Sequence, residues 1–86
     1  MSETIVAAAI RYREVAISQP RPARHGHIIR WMADLGLDVV QPEDQGFTTS
    51  DGRFVDRVEA RRIAVDAGQL LPNARSHDEL FSEDVW

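Results

Sequence analysis

Residues 45–57 read QGFTTSDGRFVDR, and this stretch decides the fold because it predicts two strands, a tight turn and the start of a helix. Asp51-Gly52 lies between residue types that favour strands, and a type I′ hairpin turn requires positive φ at both central positions. A two-residue turn there would pair Phe47 with Asp56. That register predicts that the rings of Phe47 and Phe54 share one face of the hairpin.

The hairpin leads directly into a predicted helix. Asp56 followed by Glu59 matches the capping box, in which the first side chain accepts a hydrogen bond from a backbone N–H of the first turn. Gly68 suits the residue after the helix, where a left-handed conformation is common. The apolar residues between these signals recur at helical spacing and are Ala60, Ile63, Ala64 and Ala67.

The chain before residue 45 predicts a first hairpin and a first helix. Thr4 to Arg13 and Glu14 to Gln19 are short apolar runs that favour two strands. The stretch from Ala23 to Leu35 predicts a helix with Pro22 in its first turn and Gly36 at its C-terminal cap. The expected buried stripe of this helix is His25, Ile28, Ile29, Met32 and Leu35.

The remaining segments complete the predicted topology. Leu37 to Val40 favours a short strand, and Gln41 to Gly46 is expected to be a polar loop. The order of elements predicts an α+β domain in which an antiparallel sheet of hairpins carries both helices on one face. Such a sheet leaves its other face free for a partner copy.

Composition restricts the function classes. The chain has 86 residues and no cysteine, so it predicts a single domain, residues 1–86, without a disulfide framework or a thiolate metal site. Because no segment resembles a signal peptide or a membrane span, we expect a cytosolic protein. All ten basic residues are arginine, which binds phosphates through a planar fork.

The acidic excess is confined to the C-terminal quarter. Residues 1–62 hold nine arginines and nine acids, while residues 63–86 hold one arginine and five acids, which gives the net charge of -4. A neutral body with an acidic tail is a poor match for duplex nucleic acid, which requires several uncompensated phosphate contacts. The tail 72–86 also contains Leu80, Phe81, Val85 and Trp86, which predicts that it docks on the domain.

Two groups of basic residues could form electropositive sites. Arg24, His25 and His27 lie at the start of the first helix, where free N–H groups and the helix dipole favour anions, although His25 could equally pack in the core and Arg24 be solvated. The second group lies where the second hairpin meets the second helix and comprises Arg53, Arg57, Arg61 and Arg62. These four arginines would form one positively charged surface, the cationic corner, unless they pair with nearby acids. No catalytic motif or metal-ligand spacing is present, so we expect neither an enzyme nor a metal protein.

Several motifs carry a resemblance to a known family. The segments AAIRY, RPARHGHIIRWM, QGFTTSDGRFVDRVEARRIAVDAGQ and LFSEDVW, in this order, resemble small phage-encoded proteins, in particular the Thoeris anti-defence sponges. Such sponges are not enzymes; they bind cyclic ADP-ribose isomers made by the host immune enzyme, and some relatives also hold cyclic oligonucleotides. They act in the cytoplasm of the infected host.

The resemblance implies a site and an assembly. It implies dimers or hexamers with a nucleotide pocket at the subunit interface, and no cofactor. The residues expected to line this pocket are Arg11, Arg24, His25, Phe47, Phe54, Asp56 and Arg57. The alternatives are a protein-binding module that inhibits a host factor through its apolar acidic tail, and a small DNA-associated regulator, which the charge disfavours.

Overall fold

The computed structural model describes residues 3–37, 41–74 and 78–86. Two short 3-10 helices, Pro42–Asp44 and Ser82–Asp84, accompany the regular elements. The regular elements, in chain order, are strands and helices β1 (Ile5–Tyr12), β2 (Val15–Pro20), α1 (His25–Asp34), β3 (Gln45–Thr49), β4 (Phe54–Asp56) and α2 (Arg57–Asp66).

The four strands form one antiparallel sheet in the order β2-β1-β3-β4. Both helices pack on the same face of this sheet, and the hydrophobic core lies between the two layers. The predicted α+β class, with an antiparallel sheet and two helices on one face, is therefore confirmed. The fully buried large side chains of the core are Ile5, Ile10, Ile28, Met32, Phe47, Val55 and Leu80.

The first hairpin has the predicted strands and a two-residue turn. Tyr12 pairs with Val15, so the turn consists of Arg13 and Glu14. Both turn residues have positive φ, 50° and 68°, which is the backbone geometry that matches the twist of the flanking strands. The tight turn that the sequence predicted for the second hairpin is thus found in the first hairpin, without glycine or asparagine.

The second hairpin has a different register from the predicted one. Phe47 pairs with Val55, not with Asp56, and Gly46 takes the place opposite Asp56. The connection is longer than two residues, because the N–H of Thr49 donates to the carbonyl oxygen of Arg53 at 2.9 Å. This one-residue shift reverses the faces, since adjacent residues of a strand point to opposite sides of the sheet.

The predicted sharing of one face by Phe47 and Phe54 is therefore wrong. Phe47 points into the core, where its exposed fraction is 0%. Phe54 lies on the opposite face of the sheet, and its ring covers Gly46. A Cβ atom added to Gly46 would come within 2.6 Å of this ring. The close approach of the Val55 backbone oxygen, together with this ring, explains why residue 46 has no side chain.

The first helix is shorter than predicted and starts later. It begins at His25, so Pro22 precedes the helix and does not lie in its first turn. His25, Ile28 and Met32 of the predicted stripe are buried, while Leu35 is 57% exposed because it lies beyond the last helical residue. Gly36 follows with a φ of 76°, as the C-terminal signal predicted.

Two further boundaries differ from the sequence prediction. Gln45 and Gly46 belong to β3 and not to the polar loop. The predicted strand Leu37 to Val40 is not formed at Leu37, and residues 38–40 lie outside the described residues. The second helix has its predicted cap, since the Asp56 carboxylate accepts from the N–H of Glu59 at 2.8 Å.

Candidate functional site

The start of α1 exposes backbone donors. The N–H of Arg24 donates to Nδ1 of His27 at 2.8 Å, which fixes the backbone just before the helix. The first turn contains no acidic residue, and the N–H of His27 donates to the carbonyl oxygen of Arg24 at 3.0 Å. The N–H groups of His25 and Gly26 lie in the same turn, at the positive end of the helix dipole, where they can donate to an anion.

A cleft of about 480 Å³ opens at this helix start. Its walls come from three elements: the first turns of α1, the first residue of α2, and the segment around the second 3-10 helix. The residues that line it are Arg24, His25, Gly26, His27, Arg30, Arg57, Phe81, Ser82 and Glu83. Three arginines and one carboxylate give this cleft a cationic lining.

Arg57 is positioned by the junction between β4 and α2. β4 ends at Asp56 and α2 begins at Arg57, so the strand leads into the helix without a connecting loop. Nη2 of Arg57 donates to Oε1 of Gln45 at 2.6 Å, and its guanidinium carbon lies 4.4 Å from the centroid of the Phe81 ring. The cationic group is thus stacked on an aromatic face at the wall of the cleft.

The electrostatic state of Arg57 reflects its partial burial. Its Nε atom is buried and has no hydrogen-bond partner, the one such side-chain nitrogen or oxygen within residues 3–37, 41–74 and 78–86. Burial lowers the pKa of Arg57, and the nearby charges of Glu79 and Glu83 oppose this shift. A buried N–H without a partner costs about 1–3 kcal/mol, so the fold retains Arg57 at a cost in stability.

The C-terminal segment forms the third wall. The N–H of Leu80 donates to the carbonyl oxygen of Arg57 at 2.9 Å, and the Leu80 side chain is fully buried. Trp86 Nε1 donates to the carbonyl oxygen of Ala23 at 3.0 Å, and Nη2 of Arg24 donates to the backbone oxygen of Trp86 at 2.7 Å. These bonds join the end of the chain to the start of α1, so this segment is part of the domain surface.

His25 lies at the back of the cleft. Its Nε2 donates to the carbonyl oxygen of Gly46 at 2.6 Å, and its ring meets the Phe47 ring edge to face at 4.9 Å. Burial lowers the pKa of His25, although the bond to Gly46 acts in the opposite direction. The imidazole is thus fixed between the cleft and the core.

The structure brings Arg24, His25 and Arg57 of the predicted set into this cleft. Phe47 lies behind His25 in the core, so its ring is not available to stack on a base. Asp56 caps α2 and lines a second, smaller cleft of about 210 Å³ on the other side of Arg57.

Arg11 and Phe54 lie on the face of the sheet opposite the helices. The guanidinium carbon of Arg11 is 5.7 Å from the centroid of the Phe54 ring, and Nη2 of Arg11 lies 3.5 Å from a carboxylate oxygen of Asp44. One subunit therefore does not bring these two residues into the cleft at the start of α1.

The predicted cationic corner does not form as one group. Arg53 donates to carboxylate oxygens of Glu3 at 2.8 Å and of Glu59 at 3.0 Å, so acids on two sides occupy it. The hydrogen bond from Arg53 is the main cause that lowers the pKa of Glu3 to about 2, and the hydrogen bond from Thr49 is the second cause. Arg57 alone of this group lines the cleft.

The sequence placed His27 in the anion site at the start of the first helix but not in the nucleotide pocket, and it did not select Arg30 or Phe81. His27 and Arg30 are three positions apart in α1, so helical spacing alone could have added Arg30. Phe81 follows Arg57 by 24 positions and reaches it through tertiary packing, for which the sequence carries no local signal.

Two features are absent from the described residues. Within residues 3–37, 41–74 and 78–86, no group of three or more histidine, cysteine or carboxylate side chains could hold a metal ion. Over the same residues, no helix has the length and apolar character needed to cross a membrane.

A family model described as the phage T4 y16D protein matches residues 4–86. The chain belongs to this family. The matched residues include every helix and strand of the fold and all three walls of the cleft. The fold and the cleft therefore both lie within the part of the chain that matches this phage family. Neither a curated protein nor a solved structure matches the chain significantly.

Proposed function

We propose that this y16D-family protein binds and sequesters an anionic nucleotide signal of the host immune system without cleaving it. The ligand class is a cyclic ADP-ribose isomer or a cyclic oligonucleotide. The observation that carries the proposal is the convergence of Arg24, Arg30 and Arg57 on one cleft at the start of α1.

The chemistry of the cleft suits phosphate groups. Guanidinium forks bind phosphate oxygens in pairs, and free N–H groups at a helix start add further donors. The cleft volume of about 480 Å³ lies within the range of about 300–1,000 Å³ that is typical of small-molecule sites. The exposed edge of Phe81 gives a base or sugar an apolar surface beside the charges.

The lining supports binding more than cleavage. Among the described residues, Glu83 is the one carboxylate that lines the cleft. General acid–base hydrolysis needs a base within hydrogen-bond reach of a nucleophile, and binding needs only the donors described above. The proposed protein therefore acts by holding its ligand.

The proposal includes a homo-oligomer in the cytoplasm of the infected host. A second copy that packs against the open sheet face would cover Arg11 and Phe54, the two predicted residues that one subunit leaves away from the cleft. Light scattering coupled to size-exclusion chromatography tests this part. A monomer at all concentrations would contradict it and leave binding in the cleft untouched.

Calorimetric titration tests the binding function. We expect saturable binding of at least one member of a panel of cyclic ADP-ribose isomers and cyclic di- and trinucleotides, and recovery of the unchanged nucleotide after denaturation. Arg57→Met should weaken binding by at least about thirtyfold. Arg62→Met is the matched control, because Arg62 is exposed on the same helix and does not line the cleft. No binding across the panel, or recovery of a hydrolysed product, would refute the proposal.

A further inference from the structure

The tautomer of His25 is fixed by its environment. The Gly46 carbonyl oxygen, 2.6 Å from Nε2, can only accept a hydrogen bond, so Nε2 must carry a proton. The neutral ring then has a bare lone pair on Nδ1. Because the His25 residue is only 5% exposed, its ring cannot rotate freely to exchange the two nitrogens.

The second ring nitrogen has no protein partner. Nδ1 makes no hydrogen bond to any residue within 3–37, 41–74 and 78–86. His25 lines the cleft, which provides the opening through which Nδ1 can be reached.

The lone pair persists at neutral pH. Burial lowers the pKa of His25, and the charge of Arg57 acts in the same direction. Arg24, His27 and Arg30 of α1 also line the cleft, and Glu83 on the C-terminal segment favours the protonated form. The cleft therefore combines several positive donors with one buried acceptor.

We propose that His25 Nδ1 accepts a hydrogen bond from a hydroxyl group of the ligand, so that the cleft selects phosphate esters of hydroxylated sugars over anions that lack a donor beside their charge. This inference rests on the proposed function and assigns His25 a specificity role within it. A ligand without such a hydroxyl would leave His25 Nδ1 without a hydrogen-bond donor. Polar sites discriminate against analogues in this way, because an unpaired acceptor in the bound complex costs free energy.

A matched pair of probes tests the inference. Adenosine 5′-diphosphate and its 2′,3′-dideoxy analogue carry the same base and the same charge, and they differ only in the two ribose hydroxyl groups. We expect the wild-type protein to bind the ribose form about tenfold more tightly at neutral pH, the size of one well-formed hydrogen bond to a buried acceptor.

Two substitutions at one position separate recognition from folding. His25→Gln keeps an N–H donor near the position of Nε2 and removes the Nδ1 acceptor, so it should fold and bind both probes equally. His25→Asn places an amide oxygen near the position of Nδ1 and loses the donor to Gly46, so it should be less stable and retain the ribose preference if it folds. Circular dichroism checks the fold of each variant.

The pH profile provides a readout that a purely structural His25 would not move. Protonation converts Nδ1 into a donor, so the ribose preference should vanish and the affinity for both probes should rise as the pH falls through the lowered pKa of His25. His27→Gln serves as the control, because it leaves His25 in place and should keep this loss of preference.

Equal binding of the two probes by the wild-type protein at neutral pH would overturn the inference, and so would an unchanged preference in a folded His25→Gln variant. Absence of binding by both probes would likewise overturn the assigned ligand class. The proposed sequestration function would still stand or fall on the cyclic nucleotide panel.

Discussion

Arg57→Met should separate binding from stability. Methionine has a similar length without the charge, so the substitution loses the stacking on Phe81, about 0.5–1 kcal/mol at a partly exposed site, and the bond to Gln45, about 1 kcal/mol. It also removes the buried, unpartnered Nε–H, which costs about 1–3 kcal/mol in the native protein. These contributions offset one another, so the free energy of unfolding should change by less than about 1 kcal/mol.

Urea unfolding monitored by circular dichroism measures the change in the free energy of unfolding. In thermal unfolding of a domain of 86 residues, the same change shifts Tm by less than about 4–8 °C. The same sample should lose ligand affinity by at least about thirtyfold, because truncating a charged partner in a binding site costs about 2–5 kcal/mol. Arg62→Met should change neither quantity. A loss of more than about 3 kcal/mol in stability would refute this reasoning, because Arg57 would then be a structural residue.

Gly46→Ala should destabilise the protein by about 1–3 kcal/mol, because the new Cβ would clash with the backbone oxygen of Val55 and with the Phe54 ring. Gly26→Ala is the control: its new Cβ would meet no atom within 4 Å, so this variant should not have a lower urea midpoint. Trp86→Ala should cost about 2–3 kcal/mol through the lost packing and the lost bond from Nε1, whereas Trp31→Ala, at a 45% exposed position, should lie within about 0.5 kcal/mol of the wild type in the same assay. The Glu3 carboxylate, whose pKa falls from 4.5 to about 2 on folding, contributes stability above pH 4.5 that is lost as the pH falls toward 2. Urea midpoints measured from pH 6 to pH 3 should therefore decline less in Glu3→Gln than in the wild type; equal slopes would contradict the pairing.

The sequence predicts the elements of this fold because their signals are local. The cap from Asp56 and the apolar stripe of α2 lie within ten residues of one another, and the alternating apolar runs of the first hairpin are equally local. Local signals of this kind identify which segments form helices and strands. Local signals also led to the prediction of an anion site at the start of α1, which stays a prediction.

The register of the second hairpin could not be predicted because a distant residue helps to fix it. The Thr49 hydroxyl donates to the Glu3 carboxylate at 2.5 Å and accepts from the N–H of Asp51 at 3.2 Å, which stabilises a longer connection than the Asp-Gly signal implies. Glu3 is 46 residues away in sequence. The same limit applies to the cleft, whose third wall contains Phe81, and this residue meets Arg57 only after the C-terminal segment has packed.

The direct junction of β4 with α2 has a consequence for how this family can vary. One extra residue between Val55 and Asp56 would either turn the strand side chains to the opposite face or rotate the start of the helix by about 100°. Each outcome would move Arg57 away from Phe81 and from the cleft. We therefore expect functional relatives to conserve the three-residue spacing from Phe54 to Arg57 and to accommodate insertions and deletions in their loops.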